Sequence, residues 1–139
     1  QGVLVDLGSR INVIGEQTLK EMEGELPSGE TVQRLQLKEN IAISGVGEGS
    51  AHCLTEAKIP IAVAYEDGGQ RHIYQANVAT ECGSTLPAIL GADSMQEKDA
   101  VIILREGKET IIFPGAGGYK IEWSPGTRQL PMKQSPSGR

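Results

Sequence analysis

The chain has 139 residues, a net charge of −5, 18 glycines and only 4% aromatic residues. This length favours one domain with a core of Val, Ile, Leu and Ala, and the glycine content favours many turns and short strands over long helices. No block of Lys or Arg forms a basic patch and no apolar run reaches the roughly 18 residues of a membrane span, so we expect neither nucleic-acid binding by this segment nor a membrane span.

The first part of the chain predicts two short strands and a helix. Residues 3–5 and 11–14 are apolar runs typical of buried strands, and residues 6–9 interrupt them. Over residues 16–25, apolar side chains recur at helical spacing between Glu and Lys, which predicts a short helix. The chain begins at Gln1 without a signal-peptide pattern, so it looks like a segment of a longer polypeptide.

The middle of the chain predicts consecutive strands. Apolar residues between positions 32 and 43 lead into a glycine-rich tip at residues 45–49. Residues 57–65 alternate between apolar and other side chains, and Pro60 favours an edge or a strand start because proline cannot donate to a ladder. The turn signal at residues 66–69 then predicts a hairpin, with residues 72–79 as the returning strand.

The last part of the chain predicts shorter elements. An apolar run at residues 88–90 and a glycine precede a short helical stretch, and residues 101–104 and 110–113 predict a further hairpin. Residues 119–123 predict a final strand. Pro, Gly, Ser and Lys weaken the pattern after it, so we expect a mainly β domain over residues 1–123, with one or two short helices, and a tail or linker over residues 124–139.

Asp6 stands alone between two apolar runs, followed by Leu7, Gly8 and Ser9. Asp and Gly are ordinary turn residues, so a plain turn between strands is one interpretation. A carboxylate drawn inside between apolar strands is costly unless a second acid or hydrogen-bond donors meet it. We expect such donors in the backbone N–H groups of Gly8 and Ser9 and in the Ser9 hydroxyl.

Three segments in order resemble retropepsin-like aspartic proteases, the retroviral and retrotransposon-type peptidase domain. VLVDLGSRINVIG, residues 3–15, is similar to the active-site segment, in which Asp-Thr/Ser-Gly lies between apolar strands. IAISGVGEGSAHC, residues 41–53, resembles the flap, a β-hairpin with a glycine-rich tip that closes over substrate. LPAILGADSM, residues 86–95, resembles the stretch that packs behind the catalytic loop.

The resemblance implies a small closed β-barrel of the retropepsin-like acid protease type. It also implies an aspartic endopeptidase of retroelement origin that takes a polypeptide substrate, its own polyprotein included, and needs no cofactor. The implied roles are catalysis, support of the catalytic loop, substrate binding by the flap and backing of the loop. Catalysis falls on Asp6, and support of the catalytic loop falls on Leu7, Gly8 and Ser9. Substrate binding by the flap falls on Ser44, Gly45, Val46 and Gly47. Backing of the loop falls on Ile89, Leu90 and Gly91.

The chemistry of this family requires two carboxyl groups. One carboxylate activates a water as general base, while its protonated partner polarises the peptide carbonyl. Asp67 has polar flanks and reads as a hairpin turn, so Asp6 is the one candidate in an apolar setting, and the chain is too short for two fused lobes. We therefore expect a homodimer in which the two copies of Asp6 meet at the two-fold axis.

Leu7 is the main departure from the family pattern. The usual Thr or Ser at this position braces the two catalytic loops through its hydroxyl, which leucine lacks. Only five residues precede Asp6, so we expect the N-terminal strand of the domain to be truncated, and residues 101–123 are a candidate replacement at the dimer interface. These departures favour an alternative function, a catalytically weak or inactive module of the same fold for dimerisation or peptide binding.

Other sites are weakly indicated. The glycines at residues 45–49 are not followed by the Gly-Lys-Ser/Thr of a phosphate-binding loop. Asp93 is expected to cap the short helix or to pair with a base. The two cysteines predict reduced thiols in an intracellular, cytoplasmic protein, with a single bridge as the alternative. No metal site is expected, because the available ligands match no zinc spacing: His52, Cys53, His72 and Cys82.

Overall fold

The computed structural model describes residues 2–45 and 48–132. Within them the chain forms eight β-strands, two α-helices and one 3-10 turn. The helices are α1 (Glu16–Gly24) and α2 (Ala92–Glu97), and the 3-10 turn covers Glu81–Gly83. The strands are β1 (Val3–Val5), β2 (Val13–Gly15), β3 (Gln33–Ile43), β4 (Ala51–Tyr65), β5 (Gly68–Ala79), β6 (Ala88–Leu90), β7 (Val101–Ile103) and β8 (Thr110–Ile112).

Six strands form one sheet in the order β1-β6-β2-β5-β4-β3, and β7 and β8 form a separate hairpin. The late strand β6 lies between the two earliest strands, parallel to β1 and antiparallel to β2. β2 is also parallel to β5, which continues through antiparallel pairings to β4 and β3. The segment that joins β1 to β2 therefore passes over the end of β6.

The mainly β class with two short helices is confirmed, whereas the described sheet is open rather than closed into a barrel. β1 lies at one edge and β3 at the other, and these two strands do not pair with each other in the part of the chain that the structure describes. β1 has only three residues, and among the described strands β6 is the one it pairs with. The closed barrel expected from the sequence is therefore not confirmed.

The long β4–β5 hairpin extends beyond its neighbours. β3 pairs with β4 only as far as Lys58, while β4 and β5 stay paired to Tyr65 and Gly68. Within the described part of the chain, the distal part of β4 thus has one neighbouring strand, and Pro60 lies there, as its missing N–H predicts. Asp67 is at the hairpin turn, which agrees with the turn predicted at residues 66–69.

The core lies between α1 and the inner face of the sheet. α1 follows β2 directly and buries Leu19 completely, while Met22 packs partly against the same cluster. This apolar face is what holds the nine-residue helix, because a helix so short is marginal on its own. The remaining buried members of the cluster are Ile14, Ala57, Ile59, Tyr74, Ala76, Val78 and Ala88.

The strand predicted at residues 119–123 does not form. In the described residues no other strand pairs with this segment, so its backbone has no ladder to join. Its alternate apolar side chains, Tyr119, Ile121 and Trp123, stay about half exposed, at 53%, 48% and 57%. The prediction was wrong because alternation specifies a strand only where a neighbouring strand supplies hydrogen bonds. Neither described helix is long and apolar enough to cross a membrane.

Candidate active site

The loop that carries Asp6 is a tight turn at the end of β1. The N–H of Asp6 still donates to the carbonyl of Leu90 in β6 at 3.1 Å, so the strand pairing extends to the acid itself. The N–H of Ser9 donates to the carbonyl of Asp6 at 3.3 Å and closes the turn. Asp6 is half-buried, and the Leu7 side chain at the tip is 65% exposed.

One of the three donors expected for the Asp6 carboxylate reaches it. The N–H of Gly8 donates to Oδ1 at 2.8 Å, an Asx-type bond that also occurs in plain turns. The hydroxyl of Ser9 instead donates to the carbonyl of Ile11 at 2.8 Å, so the predicted hydrogen bond from this hydroxyl to the carboxylate is wrong. Oδ2 of Asp6 has no hydrogen bond within the described residues, so it can accept a hydrogen bond from a water or from a second carboxyl group.

The segment after β6 holds the loop from behind. The N–H groups of Ala92 and Asp93 donate to the carbonyls of Ser9 and Arg10 at 2.8 and 2.9 Å. A Cβ at Gly91 would lie 2.4 Å from the carbonyl oxygen of Ile11, so only glycine permits this close approach. The structure thus brings Ile89, Leu90 and Gly91 to the back of the Asp6 loop.

Asn12 connects three elements around the loop, and the sequence analysis did not select it. Its side-chain Oδ1 accepts from the N–H of Gly91 at 2.9 Å, and its Nδ2 donates to the carbonyl of Gln75 at 2.9 Å. Its backbone carbonyl accepts from the N–H and the Nδ2 of Asn77, at 3.0 and 3.1 Å. A polar residue inside the predicted strand at residues 11–14 was the available signal.

Tyr74 is the second residue that the sequence analysis missed. Its hydroxyl lies 2.6 Å from the carbonyl oxygen of Ile89 and 3.1 Å from that of Val13, so it links β6 to β2. Burial raises the pKa of the Tyr74 phenol, which therefore remains a neutral donor. A single tyrosine in a strand predicts burial but not the two carbonyls that it joins.

The predicted flap residues are only partly described. β3 and β4 form a hairpin whose last pair is Ile43 with Ala51, and Ser44 and Gly45 follow it, exposed. Neither makes a hydrogen bond to the turn at residues 6–9. Val46 and Gly47 lie outside the described residues.

The base of this hairpin is attached to the segment after β5. The carbonyl of His52 accepts from both the N–H and the hydroxyl of Thr80 at 3.0 Å, and its Nδ1 lies 3.0 Å from a carboxylate oxygen of Glu81. A Cβ at Gly83 would lie 2.7 Å from that of Ala51. The arms of the hairpin are therefore fixed, while its tip at Ser44 and Gly45 is exposed.

The residues considered for other roles are dispersed. Within the described residues no three His, Cys, Asp or Glu side chains gather to hold a metal ion. Both cysteines are free thiols; burial raises the pKa of Cys53 to about 11, and Cys82 is exposed. Asp93 lies in the first turn of α2 but Gly91 is the N-cap, so Asp93 does not cap the helix. It pairs with a base instead, 3.2 Å from Nε of Arg10.

The arrangement presents one half-exposed carboxylate on a hydrogen-bonded turn, with one oxygen bonded to the loop and the other without a partner among the described residues. Such a group can accept or deliver a proton, and it can share one with a second carboxyl group brought close to it. Comparisons with protein-family models, with curated proteins and with solved structures find no significant match to this chain.

Proposed function

We propose that the chain is an aspartic endopeptidase of retroelement type that works as a homodimer, with Asp6 from each copy forming the catalytic pair. The observation that carries this proposal is the geometry of the Asp6 turn. The acid at the end of a paired strand donates its N–H to the carbonyl of Leu90, and Ala92 and Asp93 hold the residues just after its turn, while the acid itself stays half-exposed. Rigid support behind an accessible acid suits catalysis better than a loose surface turn does.

The homodimer follows from the number of acids. Asp67, the other Asp with a glycine two residues after it, lies at the β4–β5 turn, so one chain supplies a single acid in this setting. A two-fold axis beside the turn brings a second copy of the same acid to it without any further element. The exposed apolar side chains Leu4, Val5 and Leu7 lie on β1 and its turn, where such an axis would bury them.

The reaction then needs no cofactor. Two adjacent carboxyl groups do not both ionise, so one carries a proton and the other is a base. The base takes a proton from water, the water attacks the peptide carbonyl, and the protonated partner stabilises the oxygen and later protonates the leaving nitrogen. The Gly8 N–H on Oδ1 fixes the carboxylate plane and leaves Oδ2 for this chemistry.

The finer fold assignment belongs to the same proposal. β6 lies between β1 and β2 and ends behind the turn, which supports the acid-protease arrangement implied by the sequence resemblance. The β3–β4 hairpin supports a flap, since its arms are fixed while Ser44 and Gly45 are exposed. We propose an intracellular location, which the two free thiols support.

Peptide cleavage between acidic and neutral pH tests this proposal. The chain is incubated with a mixture of unfolded proteins and a random peptide library, with and without a transition-state analogue such as pepstatin. We expect cleavage that rises and falls with pH, that the Asp6→Asn protein lacks and that the Ser9→Ala protein largely keeps, since the Ser9 hydroxyl bonds to Ile11 and not to the carboxylate. Cleavage that survives Asp6→Asn would overturn the assignment.

Leu7 favours a second candidate function, a non-catalytic module that dimerises or binds peptides. Its side chain is 65% exposed and offers no hydroxyl to brace a second loop. Under this alternative the chain dimerises or binds peptides without cleaving them, and Asp6→Asn leaves binding unchanged. Cleavage assays of the original chain, run beside sedimentation and peptide-binding measurements, distinguish the two functions: dimerisation or peptide binding without any cleavage supports the second.

A further inference from the structure

Arg10 is the first cation after the Asp6 turn, and its backbone is held in place. The N–H of Asp93 donates to its carbonyl at 2.9 Å, and the residue before it is fixed in the same way by Ala92. The N-terminal end of α2 therefore positions Arg10 and the turn together.

The guanidinium of Arg10 is only partly used. Nε donates to Oδ2 of Asp93 at 3.2 Å, and the two terminal nitrogens make no hydrogen bond within the described residues. The side chain is 78% exposed. Terminal guanidinium nitrogens are planar donors that match a carboxylate, so this side chain is oriented by one acid and still open to another.

Arg10 is also within reach of a peptide bound at Asp6. The hydrogen bond from Ser9 to Asp6 defines a β-turn, whose ends lie within about 7 Å of each other, and the next Cα is about 3.8 Å further. The two Cα atoms of Asp6 and Arg10 are thus at most about 11 Å apart. An extended substrate advances about 3.3 Å per residue, so residues two to four positions from the scissile bond span this distance.

We propose that Arg10 selects substrates with an acidic side chain two to four residues from the scissile bond. This inference rests on the proposed endopeptidase function, because it takes Asp6 as the centre of the site. The substrate carboxylate accepts hydrogen bonds from the terminal nitrogens of Arg10, while Asp93 keeps the guanidinium oriented. Asp93 also repels the incoming acid, so the attraction is smaller than that of an unpaired arginine.

The test measures peptide binding as well as cleavage. A random decapeptide library displayed on phage is selected on the Asp6→Asn protein, which binds without cleaving. We expect Asp and Glu to be enriched about three- to tenfold over Asn and Gln at one position. Arg10→Gln should abolish the enrichment and Arg10→Glu should replace it with Lys and Arg.

Two further variants separate a local effect from one of net charge. Asp93→Asn retains an acceptor for Nε but removes the repelling charge, so the acidic enrichment should increase. Arg105→Gln makes the same charge change as Arg10→Gln in the exposed β7–β8 turn, and it should leave the enrichment unchanged. An equal loss in both glutamine variants would indicate net charge alone and overturn the proposal.

The outcome for Arg10 is distinguishable from the outcome for the endopeptidase function. Cleavage that depends on Asp6, combined with a preference that Arg10→Gln does not alter, overturns the role of Arg10 and leaves the function standing. Acidic enrichment that depends on Arg10, in a chain that cleaves no peptide, supports the acidic preference and overturns the function. No acidic enrichment at any position overturns the inference about Arg10.

Discussion

Two regions of the chain combine glycines with apolar residues and fold differently. Residues 3–15 form two strands around the Asp6 turn, and each strand is paired with β6. Residues 115–123 contain three glycines and the apolar side chains Tyr119, Ile121 and Trp123, yet they form no strand and remain exposed. Local composition is similar, so the difference comes from the neighbours that each region finds.

The space around the glycines also differs between the two regions. A Cβ at Gly91 or Gly15 would lie 2.4 or 2.3 Å from a backbone carbonyl oxygen, so these residues permit two chain segments to touch. A Cβ at Gly117 would meet nothing within 4 Å. The first region is therefore a packed junction of backbones, and the second is a segment that nothing in the described chain covers.

Gly91→Ala, compared with Gly117→Ala, should give the largest difference in stability between the two regions. The added methyl group overlaps backbone atoms of Arg10 and Ile11, which cannot move like a flexible side chain. We expect a loss of about 3 kcal/mol or more in the free energy of unfolding, measured by urea denaturation. Gly117→Ala is the matched control and should change stability by less than about 0.5 kcal/mol. Equal effects at the two positions would contradict the packed junction.

Tyr74→Phe should have the next largest effect. It keeps the buried ring and removes the hydroxyl beside the carbonyls of Val13 and Ile89, so we expect a loss of about 1–2 kcal/mol in unfolding free energy. Tyr119→Phe, in the exposed region, should be close to neutral. If the Tyr74 hydroxyl positions the loop, peptidase activity falls more than the unfolded fraction explains; unchanged activity of the folded protein would limit Tyr74 to a structural role.

The sequence predicted most of the helices and strands, and it predicted that residues 89–91 lie behind the Asp6 turn. The helix over residues 16–25 and the strands at residues 88–90 and 101–104 lie within a residue of their observed bounds, because local periodicity and glycine boundaries determine them. The roles of Asn12 and Tyr74 were not predictable, since each depends on carbonyls or N–H groups from distant strands. The strand predicted at residues 119–123 does not form for the same reason, because strand pairing depends on the tertiary structure.

The link between α1 and β3 should give the smallest effect. Arg34 donates to both carboxylate oxygens of Glu23 at 2.6 and 2.7 Å, and this bonding lowers the pKa of Glu23 from its ordinary value. A lowered pKa contributes stability that is fully present above the unfolded pKa, so this contribution is lost as the pH falls through the lowered pKa of the folded protein. Because the pair is partly exposed, Glu23→Gln should cost less than about 1 kcal/mol at neutral pH.

The control for that pair is the exposed Glu16–Lys20 pair in the same helix. Glu16→Gln should leave the unfolding free energy within about 0.5 kcal/mol of the original at neutral pH. The difference in stability between the Glu23→Gln protein and the original should shrink from pH 7 to pH 3 in urea titrations. A difference that grows towards low pH would contradict the lowered pKa.

The central claim is that two chains share one catalytic centre through Asp6. Mixing the original chain with Asp6→Asn protein at constant total concentration, above the dissociation constant of the dimer, tests it most directly. Only dimers with two intact acids are active, so cleavage should follow the square of the intact fraction and fall to about a quarter in an equal mixture. A linear decrease, to about half in the equal mixture, would contradict the account by showing that each chain works alone.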